Sequence, residues 1–256
     1  MLCLKTHGYK YIHRSFAPQR FSSSVTFIRR SLPVLTAAMS TETRSTAIEH
    51  FVLLSTKSST PALQIDSMVS NLRSLSSLPN VTHLTVESVL RHRSSAAEPF
   101  TYVLHGRYPT KTDLVAYSDH PSHLSVVKDN VRPACCDVLA LDWVTGSEHG
   151  AISPGSAARL TLVKVKEEAG ESAKAEILEV MRGAKVKGDV SFGENFAPGR
   201  SKGYEIGMLT VFKNLAELDE LDNLGEELQK QKDKVRDLIE SVIVVDFVVS
   251  DPSSNL

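Results

Sequence analysis

From residue 48 onward, apolar positions fall into short alternating runs separated by stretches with three- and four-residue spacing. Residues 48–56 alternate as a strand does, with Ile48, Phe51 and Leu53 set among polar neighbours. Thr60 and Pro61 then offer a cap and a first-turn proline. Ile65, Met68, Val69, Leu72, Leu75 and Leu78 form one stripe, which predicts a helix stopped by Pro79-Asn80. Residues 81–91 alternate around Leu84 and Val86 as a second strand, 91–99 read as a polar hairpin loop, and 100–108 as a third strand. Pro109-Thr110 opens a second helix, which Asp119-His120-Pro121 interrupts and which resumes to about Val131. Residues 135–144 close the series as a β-branched, apolar strand carrying Asp142 and then Trp143.

The same pattern then recurs. Residues 240–249 repeat 135–144 at a spacing of 104, matching Asp142 to Asp246 and Trp143 to Phe247. At that spacing Phe100 matches Tyr204, Tyr108 matches Phe212 and Leu114 matches Leu218; residues 50–57 match 159–166 at a spacing of 109. The expected elements of the second copy are strands at 160–166, 186–194, 203–213 and 241–250 and helices at 173–182 and 214–240, the last striped by Leu215, Leu218, Leu221, Leu224 and Leu228. Each copy reads β-α-β-β-α-β, the split βαβ plan. The chain is therefore expected to be α+β, with two ferredoxin-like units in tandem at 48–144 and 158–250, joined by a linker at 145–157. One such unit leaves a sheet face and two edges uncovered. Two units packed sheet to sheet would close an eight-stranded barrel, an intramolecular pseudo-dimer.

Composition narrows the function classes. Residues 1–38 carry six Lys or Arg and no Asp or Glu, leaving 23 basic and 30 acidic residues beyond them, a net charge near -7. That balance argues against a nucleic-acid partner. No apolar run reaches 18 residues, so no membrane-spanning helix is expected. Cys135 and Cys136 are adjacent on a strand and point to opposite faces, so they are expected to stay reduced, one of them packed inward.

Two address signals compete. The Arg- and Ser-rich, acid-free leader at 1–38 has the composition of a plastid or mitochondrial transit peptide, with Met39 an alternative start. The tail at 251–256 ends in Ser254-Asn255-Leu256, a relaxed form of the peroxisomal tripeptide.

The segment 117–123 concentrates candidate chemistry. His120 and His123 are three apart and would share a helix face, Tyr117 lies beside them, and His50 could approach across the sheet. Histidine suits proton abstraction near neutral pH, and a tyrosine can orient a carbonyl or stabilise an oxyanion. Set against this, His-Pro at a helix break is also a good cap and corner. A metal at His120 and His123 lacks a third ligand at recognisable spacing. The carbonyls of Leu75, Leu78 and Val81, near the end of the first helix, offer oxygens to a hard cation, although water can cap them equally well.

With the opening His50-Phe-Val-Leu-Leu, the aromatic third strand, Tyr117-x-x-His120-Pro-x-His123 and the closing Val-Leu-Ala-Leu-Asp-Trp strand, the chain resembles the plant stress-response A/B barrel family of the dimeric α+β barrel superfamily. The tandem form with a Ser-x-Leu terminus is similar to its peroxisome-associated two-domain members. The resemblance implies a role in stress or defence, room for a further homodimer, and a magnesium ion at Leu75, Leu78 and Val81. The chain is also similar to the olivetolic-acid-cyclase branch, which closes polyketide thioesters with a histidine base and a tyrosine; the matching residues are His123 and Tyr117. In the second unit Glu227, Leu221, Leu224 and Arg159 replace His123, Tyr117, His120 and His50. Two readings follow. One is a non-enzymatic barrel that binds a small hydrophobic or acyl ligand; the other is a cyclase or lyase with its site in the first unit.

Overall fold

The structure, a computed structural model, describes residues 46–94, 99–145, 152–184, 186–223 and 225–251, with the side chains of 222–228 outside that description. The leader with Met39, residues 146–151 of the linker, and the C-terminal tripeptide fall outside the described residues.

The first unit runs β1 (Ala47–Thr56), α1 (Ala62–Ser74), a 3₁₀ turn, β2 (His83–Ser88), β3 (Arg91–Ser94), β4 (Tyr102–Tyr108), α2 (Lys111–Asp119), α3 (Pro121–Val126), a π turn, α4 (Arg132–Ala134) and β5 (Cys135–Thr145). The second runs β6 (Ala157–Val165), α5 (Glu171–Gly183), β7 (Asp189–Glu194), β8 (Ile206–Phe212), α6 (Leu215–Asn223), α7 (Gly225–Val235) and β9 (Ile239–Val248). Two antiparallel sheets result, ordered β2-β4-β1-β5 and β3-β9-β6-β8-β7. Leaving β3 aside, each sheet has its central pair built from the first and third strands of its unit. The repeat is preserved in register: His50 lies opposite Asp142 and Gly106, and Arg159 opposite Asp246 and Thr210.

Strand alternation sorts the side chains into layers. Phe51, Leu53, Leu141 and Trp143 pack with Leu160, Leu162, Leu209 and Phe247 between the two sheets. On the outer face of the first sheet, Ile48, Leu54, Leu104 and Tyr108 meet Met68, Leu72 and Leu75 of the first helix and its turn. Val163 and Ile206 meet Ala173 and Ile177 on the other side. Trp143 is fully buried, stacks on Phe51 and donates its Nε1–H to Ser191 Oγ of the second unit at 3.0 Å. It fits there because Gly207 and Gly193 face it; a Cβ on Gly207 would lie 2.5 Å from the ring.

Three local expectations need correction. Residues 91–94 are no loop: they form β3, which pairs with the edge strand β9 of the other unit. Tertiary pairing overrides a sequence with no apolar alternation. Thr60 does not cap α1, since Pro61 holds the cap position and the Thr60 hydroxyl donates instead to the Ala134 carbonyl. The last helix of the second unit stops before Ile239, where β9 begins, so Glu240 belongs to a strand. The break at Asp119-His120-Pro121 is as expected, and Cys135 is buried with Cys136 exposed, both free. No helix among the described residues is long and apolar enough to cross a membrane.

Candidate functional site

A buried carboxylate in an apolar strand needs cations around it. Asp142 and Asp246 meet that need in parallel ways. His50 donates its Nδ1–H to Asp142 Oδ1 at 2.5 Å, and Arg200, reaching over from the second unit, donates to Oδ2 at 3.1 Å. Burial alone would raise Asp142, but these two partners hold it below the usual carboxylate range. In the second unit Arg159 forks onto Asp246 at 2.7 and 3.0 Å. Arg91 and Arg93, reaching over from the first unit, lie 3.6 and 3.4 Å from the same carboxylate. The backbone repeats the exchange: Phe196 N–H donates to the Asp142 carbonyl, and Leu90 N–H to that of Asp246. Each half therefore completes the other's site.

The first-unit site continues outward from Asp142 as a line of rings. His50 meets Tyr108 and Tyr117 edge-on at 6.1 and 6.4 Å, Tyr108 lies 5.0 Å from Tyr117, and Tyr117 lies 4.7 Å from His123. His123 Nδ1–H donates to the Ser118 carbonyl at 2.8 Å, which leaves Nε2 with its lone pair. Burial lowers the His123 pKa, so the ring is neutral at neutral pH. Burial pushes Tyr117 up to about 12 and Tyr108 further still, so both phenols keep their protons. His50, Tyr108 and Tyr117 are almost completely buried. Chemically the arrangement offers a base at half-buried His123 and a phenolic donor at buried Tyr117.

Among the expected site residues the structure thus gathers His50, Tyr117 and His123. His120 stands apart: the helix breaks between it and its neighbours, and its Nδ1 accepts from Ser122 N–H as the cap of α3. The Leu75 and Leu78 carbonyls already accept from the Leu78 and Val81 N–H groups, at 3.1 and 3.4 Å. This trio contains no carboxylate, so it makes a poor shell for a magnesium ion. No cluster of three or more metal-ligating side chains occurs among the described residues.

Sequence reasoning missed Tyr108 and Arg200, and treated Asp142 as a strand marker only. Its repetition in an apolar run was the available signal, because such a carboxylate must find a cation. Also missed was a charged knot inside the first unit. Glu49, fully buried, bonds His105 Nε2 at 2.5 Å and Arg107 Nε at 3.0 Å. Burial alone would raise Glu49, but the bonds from His105 and Arg107 outweigh it and bring Glu49 down to about 2. In the second unit Ala158, Leu209 and Val211 take those places.

The second unit has a different asset. On the outer face of its sheet, beneath α5, α6 and α7, lies a cavity of about 960 Å³. Its walls include Val163, Ile177, Met181, Met208 and Val244, and Arg159 and Arg93 line it. Leu221, standing where the first unit has Tyr117, is also on its wall. The side chain of Glu227, and Leu224, lie outside the described residues.

Comparison with known proteins agrees with this architecture. The model of the stress responsive A/B barrel domain matches twice, over residues 48–145 and 157–249. A stress-response A/B barrel domain-containing protein of Arabidopsis thaliana is 43% identical over 233 residues, covering 89% of this chain and 86% of that protein. A second protein of the same description from that plant is 40% identical over 218 residues, covering 82% of this chain and all of its own length. Among solved structures, an anthrone oxidase-like protein matches 81% of this chain and 92% of its own with a TM-score of 0.56, at 10% identity, a likeness of fold alone. With both units matched and relatives this close, the chain belongs to the stress-response A/B barrel family, as a tandem two-domain member.

Proposed function

We propose that the protein serves the stress response by binding a small apolar molecule in its second unit, without catalysing a reaction. The observation that carries this reading is the cavity of about 960 Å³ under α5–α7, whose walls are mainly aliphatic. Binding sites for small molecules are typically concave, apolar and furnished with a few fixed polar groups. In the first unit the position of Leu221 is taken by Tyr117, a bulkier side chain that is itself buried. Thermal unfolding against a panel of apolar acids, alcohols and acyl thioesters tests it. A ligand confined to the folded state stabilises it by about 2.7 kcal/mol at a hundredfold excess over Kd. A stabilising ligand whose effect survives His123→Ala is the expected result; no stabilisation by any class overturns the reading.

A second reading is favoured by one observation, the free Nε2 of a neutral His123 beside Tyr117. In a cyclase or lyase, Nε2 would take a proton from the carbon next to a carbonyl, while the Tyr117 hydroxyl donates to that carbonyl oxygen. Turnover of a polyketide thioester that His123→Ala abolishes in a folded protein would put this reading first. We further take Ser254-Asn255-Leu256 as a peroxisomal address. Imaging with the C-terminus free and then blocked tests that, and unchanged organelle import after blocking would assign the address to the leader.

A further inference from the structure

The cavity of the second unit is apolar in its walls but strongly one-sided in its charges. Among the described residues that line it, Arg93, Arg159, Lys232 and Arg236 are basic and Glu240 alone is acidic. Two of these bases are held by construction. Asp246, fully buried, takes Arg159 in a two-pronged bond and draws Arg93 to 3.4 Å. The Arg159 side chain is only 11% exposed, so its charge is fixed in place and largely stripped of water. In the first unit the same position is His50; Arg159 carries its charge at every physiological pH. Arg93 arrives from the other unit on β3, so the basic end of the cavity is complete only when β3 pairs with β9.

An apolar chamber ending at one buried guanidinium, Arg159, and one half-exposed guanidinium, Arg93, is complementary to an amphipathic anion. Planar guanidinium pairs best with a planar carboxylate. Building on the ligand-binding reading above, we propose that the cavity takes a long-chain carboxylic acid, its chain against the aliphatic walls and its carboxylate at Arg159 and Arg93. Thr210, buried on β8 and also lining the cavity, adds a hydroxyl at that end of the sheet. Neutral molecules of the same length lose the charged contact, and the cavity ranks them below the acid.

Displacement of a nitrobenzoxadiazole-labelled stearic acid from the full chain tests this, with palmitic acid and methyl palmitate as competitors. The acid is expected to displace the probe at about tenfold lower concentration than the ester, the ratio that one charge-assisted hydrogen bond supplies. Arg93→Gln, at a half-exposed position, is expected to remove most of that preference and leave the ester unchanged. Val244→Trp fills the chamber and is expected to abolish binding of both; if it fails to fold, Met181→Trp from the helix wall takes its place. Equal displacement by acid and ester, with the tryptophan variant still blocking both, overturns the carboxylate assignment and leaves the cavity as a binding site. No probe binding, or binding that the tryptophan variant does not weaken, overturns the cavity reading itself and this inference with it.

Discussion

Asp142 and Asp246 stand 104 residues apart and occupy the same place in the two halves of the fold. Each is buried on the last strand of its unit, each pairs with a base on the first strand, and each receives an arginine from the opposite half. The difference is the first-strand base, His50 in one and Arg159 in the other. Beside the first stand the buried rings of Tyr108 and Tyr117; beside the second lies the cavity.

That relationship predicts unequal costs of mutation. Asp246→Ala strips the carboxylate from Arg159 and strands a buried charge, and is expected to destabilise by about 3–5 kcal/mol. Arg200→Ala removes a half-exposed partner of Asp142, leaves His50 in place, and is expected to cost less than about 1 kcal/mol. Urea unfolding of the two variants checks the ranking; equal costs would contradict it.

Gly207 sits where the Trp143 ring and Leu141 leave no room for a methyl group. Gly207→Ala is expected to destabilise by about 1–3 kcal/mol through overpacking. Trp143 is the chain's sole tryptophan, so its own fluorescence reports the transition. A variant as stable as the parent, with an unshifted emission maximum, would show that the two sheets yield easily.

Acid is expected to weaken the fold in two stages. Burial first, and then His105 and Arg107, bring His83 down from its ordinary 6.5 to about 3; burial also lowers His105 and His123. Between those values the unfolded chain binds protons that the folded chain refuses, so stability falls as pH drops through 6.5. Glu49 acts later: its contribution is complete above 4.5 and is lost as pH falls towards about 2. Urea midpoints across the acid range measure this. A flat midpoint from neutrality to about pH 5 would refute the first stage, and His83→Gln is expected to make that stage shallower.

Leu90 donates its N–H to the Asp246 carbonyl just before β3 begins. Leu90→Pro removes that donor and is expected to detach β3, leaving the β9 edge unpaired and prone to association. Faster hydrogen exchange over Ile239–Val248, with dimers or larger species in light scattering, is the expected outcome. A monomer with unchanged exchange would mean that Arg91 and Arg93 hold the strand alone.

Much of this was legible in the residues. Alternation and helical spacing mark eight of the nine strands among the described residues, and the 104-residue repeat of Asp-Trp in Asp-Phe locates both closing strands. The ninth, Arg91-His92-Arg93-Ser94, has no apolar alternation, and becomes a strand only because β9 of the other unit offers it an edge. For the site, His50, Tyr117 and His123 could be picked out by type, and they do come together. Arg200 could not: it reaches Asp142 across the packed halves, over 58 residues of sequence. Nor could the cavity, since Leu221 in place of Tyr117 reads as one more core leucine until the space around it is seen.

The crossed completion of the two carboxylate sites bears on how such a chain can change over generations. In a dimer of identical chains, one gene writes both sites, and a substitution that opens one pocket opens its twin. Joining the copies end to end releases that constraint. Here one site packs its rings around a histidine, while the other is roomy and holds an arginine. Because each still borrows an arginine from its sibling, neither can be inherited alone.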